Sequence, residues 1–192
     1  MPRRPKNPTL IGMPAMSAEL EAYLKAWERH LTLPDGTRVH VRPLRPEDEA
    51  LYGPFFKAET ADDLRLRFFG PVKVFDHAFF SRFTNIDYAK AMALIAVEEA
   101  SGVMLGVVRL HMNETGDSAE YAVIVRSDHK SHGLGWQLMR LIIEFARWKG
   151  LRTIEGQVLY ENKTMLNMCR ELGFEIFSDP QDPAVSNVRL RL

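Results

Sequence analysis

The chain has 192 residues, 46% of them hydrophobic, enough to bury one sizeable core. Its 25 Lys and Arg balance 25 Asp and Glu, which excludes a global field drawing it to nucleic acid or an anionic membrane, so any anion site must be local. The only cysteine, Cys169, excludes an intrachain disulfide framework and a zinc cluster of several thiolates, and makes a reducing cytoplasm the natural compartment.

The start, Met1-Pro2-Arg3-Arg4-Pro5-Lys6, is basic, but no continuous apolar segment precedes Ser17 and no run nears the roughly 20 residues that span a bilayer. A soluble, unexported protein is expected. Residues 1–16, broken by Pro2, Pro5, Pro8, Gly12 and Pro14, predict a mobile arm. Ser17-Ala18-Glu19-Leu20 reads as a capped helix start, and Leu20, Tyr23, Leu24 and Trp27 form one apolar face of a helix ending near His30. Pro34-Asp35-Gly36 is turn chemistry, and Arg38-Val39-His40-Val41-Arg42 alternates as a half-buried strand does. Residues 17–36 are thus a helix and turn ahead of a domain over 37–192.

Pro46, followed by Glu47, Asp48 and Glu49, suits a helix start, and helical segments are predicted over 46–58, 61–68 and 76–83. Three strands follow, 92–97, 103–110 and 120–125, joined by turns at Ser101-Gly102 and Gly116-Asp117 as an antiparallel meander. Leu134, Leu138, Leu141, Ile142 and Phe145 recur at helical spacing until Gly150. A strand (153–159), a helix (162–172) and strands near 174–177 and 188–192 complete a mixed α/β sheet without internal repeats.

The segment from Val123 to Trp136 runs strand, polar glycine-containing loop, helix start. Free N–H groups in a helix's first turn stabilise a phosphate, and Gly133 and Gly135 let it approach the backbone. Arg126, His129, Lys130 and His132 add local positive charge. A nucleotide P-loop is excluded, because Trp136-Gln137 follow Gly135 where Lys and Ser or Thr are required. A dinucleotide fingerprint fits poorly, since Leu138 stands at the third glycine and a meander precedes the loop. A bare Gly-x-Gly is equally consistent with a plain strand-to-helix turn.

The wider pattern, Lys130-Ser131-His132-Gly133-Leu134-Gly135, a helix, a strand, then Asn162, Met165, Cys169 and Leu172-Gly173-Phe174, resembles the GCN5-related N-acetyltransferase (GNAT) superfamily over roughly residues 37–192. The resemblance implies a mixed, mostly antiparallel central sheet flanked by helices, with an N-terminal extension, and acetyl-CoA as co-substrate. It implies cofactor contacts at Val123, Ile124, Val125, Lys130, Ser131, His132, Gly133, Leu134, Gly135, Trp136, Asn162, Met165 and Cys169. Lys130 stands where the family usually has Arg or Gln. Cys169 stands where it often has a tyrosine that protonates the leaving thiolate; a lone buried thiol is the competing reading.

Upstream, Leu64-Arg65-Leu66-Arg67-Phe68-Phe69, Thr84-Asn85-Ile86-Asp87-Tyr88, Met92-Ala93-Leu94 and Ala119-Glu120-Tyr121-Ala122-Val123 resemble the acetyltransferase domain of Pat-type bacterial protein lysine acetyltransferases. That resemblance implies Glu120 as general base, Arg67 and Tyr88 on the acceptor side, and a protein lysine as acceptor, for example on an acyl-CoA synthetase. The roughly 35 residues before the domain are too few for the synthetase-like or regulatory region usually fused to it. A base is needed because a lysine amine, with pKa near 10.4, is mostly protonated at neutral pH. Glu98 and Glu99 are weaker substitutes. Backbone N–H groups of Val123 or Val125 would polarise the thioester carbonyl. His129 and His132 lack carboxylate support for a metal, so no metal site is implied. Three readings stay open: a protein lysine acetyltransferase, a small-amine acetyltransferase, and a non-catalytic acyl-CoA-sensing module. Oligomeric state is not legible.

Overall fold

The computed structural model describes residues 18–72 and 74–192, so the arm and Ser17 lie outside the described residues. Helix α1 (Ala18–Lys25) leads to strand β1 (Arg29–Thr32), which pairs with β2 (Arg38–Pro43) across the Pro34-Asp35-Gly36 turn. Gly36, at φ 87°, supplies the left-handed backbone that this turn requires. The expected helix therefore ends five residues earlier than His30. The four residues Arg29–Thr32, at the sheet edge, form a strand that so short an alternation did not announce.

A 3-10 turn (Pro46–Asp48) opens α2 (Glu49–Lys57), followed by α3 (Ala61–Phe68) and α4 (His77–Thr84). Thr60 and Asp76 cap the last two, accepting from the N–H groups of Asp63 and Phe79 at 3.1 and 2.8 Å. The meander is β3 (Ala91–Glu98), β4 (Met104–Met112) and β5 (Ser118–Val125). After a 3-10 turn (Ser127–His129) come α5 (Leu134–Lys149), β6 (Thr153–Leu159), α6 (Lys163–Glu171), β7 (Glu175–Ser178) and β8 (Val185–Arg191). The eight strands form one sheet in the order β1-β2-β3-β4-β5-β6-β8-β7, antiparallel except where β5 meets β6.

The sheet has two unlike faces. One is covered by α5, whose Leu134, Leu138, Ile142 and Phe145 are buried against β3, β4 and β5. Trp27 completes this core, edge-on to Phe145 at 5.1 Å and to Trp148 at 5.6 Å, and Tyr23 and Leu24 of α1 are buried in the same core, Tyr23 against Trp148 at 5.6 Å. Full burial of each such side chain contributes roughly 1.5–3 kcal/mol. The other face is roofed by α2, α3 and α4, whose Tyr52, Phe56, Phe68, Phe79, Phe80 and Phe83 form an aromatic cluster over Ile95, Val107 and Ile124. No helix among the described residues is long and apolar enough to cross a membrane.

Candidate active site

Strand β5 serves both faces of the sheet and one open edge. Its ladder to β4 runs from Met112–Ala119 to Gly106–Val125, and the next bond, Arg126 N–H to the Leu105 carbonyl, fixes which residues face β4. Antiparallel bonding alternates, so Glu120, Ala122 and Ile124 bond to β4, while the N–H and C=O groups of Tyr121, Val123 and Val125 point away from it. On that side β6 pairs only through Ser118, Ala119 and Glu120, opposite Thr153, Ile154 and Glu155. Beyond, β6 stays with β8 and parts from β5. A wedge opens whose β5 edge offers unpaired backbone groups at Val123 and Val125. The Tyr121 ring sits against Gly156 near the end of the pairing, where an added Cβ would fall 2.6 Å from the ring.

The wedge leads to the start of α5. Ser131 and Gly133 both take left-handed backbone, φ 68° and 80°, which brings successive N–H groups to one side. No hydrogen bond among the described residues uses the N–H groups from Ser131 to Trp136; the first in the helix is Gln137 to the Gly133 carbonyl. An anion fits this cradle on backbone groups alone. The side chains expected to help are engaged elsewhere. Arg126 grips Asp128 at 2.8 and 2.9 Å, and His129 lies 4.0 Å from the same carboxylate. Lys130 pairs with Asp63, and His132 Nδ1 lies 3.2 Å from Asp35, out of line for a hydrogen bond. Asp63 also accepts from Ser127, whose hydroxyl contacts Glu59 at 2.8 Å. Burial, and secondarily Asp63, push the Glu59 carboxyl up to about 7 against the Ser127 hydrogen bond.

Across the sheet lies a cavity of about 190 Å³, lined by Arg67, Arg82, Phe83, Arg109, His111, Glu120, Tyr121 and Ala122. The β4–β5 register sets His111 beside Glu120 and Arg109 beside Ala122; α3 and α4 supply the other two arginines. Glu120 is exposed there, and its side chain makes no hydrogen bond or ion pair among the described residues. Arg109 donates to the Phe83 carbonyl at 2.5 Å and covers the Phe83 ring. Arg67 lies over Phe68, and its buried Nε has no partner. Burial pushes the Arg67 guanidinium down to about 10, with Arg109 adding to this and Glu120 opposing it.

Several expected residues fall elsewhere. Cys169, on the inner face of α6, is fully buried, its Sγ 3.2 Å from the Tyr121 hydroxyl, so packing takes it out of reach of a ligand. Burial also pushes its thiol up, which disfavours the thiolate. Tyr88 donates its hydroxyl to the Leu44 carbonyl and packs against the main core, away from the cavity. Ile124 turns its side chain into the aromatic cluster and its backbone to β4, and so misses the wedge. Leu134 buries its side chain, leaving only its N–H for the cradle. Asn162 caps α6, accepting from Met165 N–H at 3.1 Å, and its half-buried neighbour Met165 packs against the core. Glu99 binds His30 and Arg38, and Glu98 binds Ser101, both at the far end of β3.

Sequence reasoning missed Arg109, His111 and Arg82. Arg109 had a visible signal, a lone charge inside the apolar run Val103–Leu110, with Val107 and His111 sharing its face at period two. Met168, whose side chain approaches Gly135, was missed as well.

The profile of the acetyltransferase (GNAT) family matches residues 58–174, from the end of α2 through the cradle to Phe174. An acetyltransferase of Pseudomonas aeruginosa is 31% identical over 163 residues, covering 84% of this chain and 88% of that protein. A shorter stretch of 59 residues is 39% identical to an L-methionine sulfoximine/L-methionine sulfone acetyltransferase of the same species, 31% of this chain and 34% of that one. Among solved structures, the GNAT domain of S. lividans PAT superposes with a TM-score of 0.78 at 25% identity, covering 86% of this chain and 97% of that domain. With a strand splayed from its parallel neighbour, a cradle of free N–H groups and this profile match, the chain belongs to the GNAT family and is an N-acetyltransferase that uses acetyl-CoA.

Proposed function

We propose that the chain transfers acetyl from acetyl-CoA to the ε-amine of lysines in proteins, with Glu120 as general base. The observation that carries this reading is the unpaired Glu120 carboxylate in the open cavity, on the same strand whose outer edge offers free backbone groups. The Pat-type sequence resemblance, and the likeness to the GNAT domain of S. lividans PAT, supply the acceptor class.

In this reading the cradle from Ser131 to Trp136 holds the pyrophosphate of acetyl-CoA by backbone N–H groups, and the edge of β5 lines its extended arm. The N–H of Val123 or Val125 donates to the thioester oxygen, stabilising charge that grows there during attack. Glu120 accepts the proton that the lysine amine sheds, directly or through a water. With Cys169 sealed in the core, the departing thiolate takes its proton from solvent.

The cavity argues against one branch of the small-amine reading. Three guanidiniums around Glu120 repel polyamines and cationic antibiotics. The test is acetyl-CoA-dependent CoA release with lysine peptides and small amines, comparing the parent with Glu120→Gln. The variant should keep acetyl-CoA affinity while kcat falls about 10²- to 10⁴-fold. Unchanged turnover removes Glu120 from the role, and turnover on small amines alone removes the lysine acceptor.

A further inference from the structure

Several half-buried guanidiniums of the chain are held by carboxylates. Arg42 holds Asp48 in a two-pronged bridge, both bonds 2.7 Å, and Asp48 is itself buried. Arg67 has no such partner among the described residues. Its Nε is buried without a partner, no carboxylate among the described residues bridges it, and the charge that perturbs it most is a second guanidinium, Arg109. A buried charge left unpaired is costly, and two like charges on one wall add to that cost. Arg67 persists as a cation at neutral pH, because burial brings it down only to about 10. Arg109 has one nitrogen on the Phe83 carbonyl, a neutral acceptor that leaves its charge uncompensated. Against Arg67, Arg109 and Arg82 the cavity sets a single carboxylate, Glu120, which touches none of them as an ion pair.

We propose that the Arg67–Arg109 wall is a carboxylate subsite, so that the preferred acceptor presents a carboxylate beside the amine that Glu120 deprotonates. This rests on the reading of the cavity as the acceptor side. The planar fork of a guanidinium matches a carboxylate two bonds at a time, and removal from bulk water strengthens the pairing. Arg67 and Arg109 thereby act as specificity residues: the anion anchors the acceptor while the amine reaches Glu120. For a protein acceptor the carboxylate belongs to an Asp or Glu next to the lysine. The same chemistry is offered by the α-carboxylate of a free amino acid.

The experiment measures kcat/KM on lysine peptides whose flanking residue is Glu or Gln, and on amino acids against their amides, at fixed saturating acetyl-CoA. The Glu-flanked peptide should exceed the Gln-flanked one by about tenfold or more, and Arg67→Gln should bring the ratio close to one. Glutarate should compete with the acceptor on the unmodified protein and glutaramide should not, which keeps the test independent of how the variant folds. Peptide turnover indifferent to flanking charge, with no competition by glutarate, overturns the subsite and leaves the lysine reading standing. Preference for amino acids over their amides, with every peptide inert, supports the subsite and overturns the lysine reading. If no acceptor turns over, calorimetric titration of the acetyl-CoA-loaded protein decides: glutarate binding that glutaramide does not reproduce supports the subsite, and no binding overturns it.

Discussion

The two faces of the sheet solve different problems with the same strands. Under α5 the side chains are almost wholly apolar and interlocked: Phe145, Leu138 and Ile142 meet Trp27 and the inner residues of β3 and β4, with little polar beyond the Tyr121–Cys169 contact. Under α2, α3 and α4 the aromatic cluster includes the half-buried rings of Phe68, Phe79, Phe80 and Phe83 and shares its space with Arg67, Arg109 and Glu120. Close packing and unpaired charge exclude one another, because each buried charge needs a partner or solvent and each solvent pocket forfeits packing contacts. The α5 face stabilises the domain, and the opposite face keeps the groups that have something left to bind.

That contrast can be broken by equal truncations on the two faces. Phe145→Ala should destabilise the fold by about 3–5 kcal/mol in denaturant unfolding, since the ring is fully buried among fixed neighbours. Phe83→Ala removes a half-buried ring that lines the cavity, and should cost about 1–2 kcal/mol while raising the acceptor KM. Equal losses of stability, with KM unmoved, would mean that both faces are simply core.

A second test uses the charged joint between α3 and the loop before α5. The Glu59 carboxyl keeps its proton up to about 7 in the folded chain, against about 4.5 when exposed. Between those values the folded state binds more protons than the unfolded one, so raising the pH through this window removes stability, and the loss is complete above about pH 7. Glu59→Gln keeps an acceptor for Ser127 and should be more stable than the parent by about 1–3 kcal/mol at pH 8, with the gap closing below pH 4.5. A gap that does not vary with pH would assign the effect to packing.

The smallest effect is expected at Lys130, paired with Asp63 and partly exposed. Lys130→Ala should change the KM for acetyl-CoA less than about threefold and stability by no more than about 1 kcal/mol. A tenfold rise in KM would show that the side chain leaves Asp63 to bind phosphate.

The sequence by itself determined what is local. Helical spacing with a closing glycine marked α5, alternation marked β2, and three apolar runs with turn residues marked the meander, because periodicity and turn chemistry are written within a few residues. The cradle was legible for the same reason, since Ser131 to Gly135 are consecutive. Glu120 could be singled out by resemblance, but its surroundings could not: Arg67 lies on α3 and Arg109 on β4, more than forty residues apart in the chain, and only strand register and helix docking bring them to one wall. The fate of Cys169 was decided in the same way, by a Tyr121 ring lying on Gly156 and closing the core beneath α6. So was the fate of the basic loop, whose side chains find carboxylates contributed by distant segments at Asp63 and Asp35. Pairings between distant residues follow from how faces pack, and that information is spread over the whole chain rather than held in any one stretch of it.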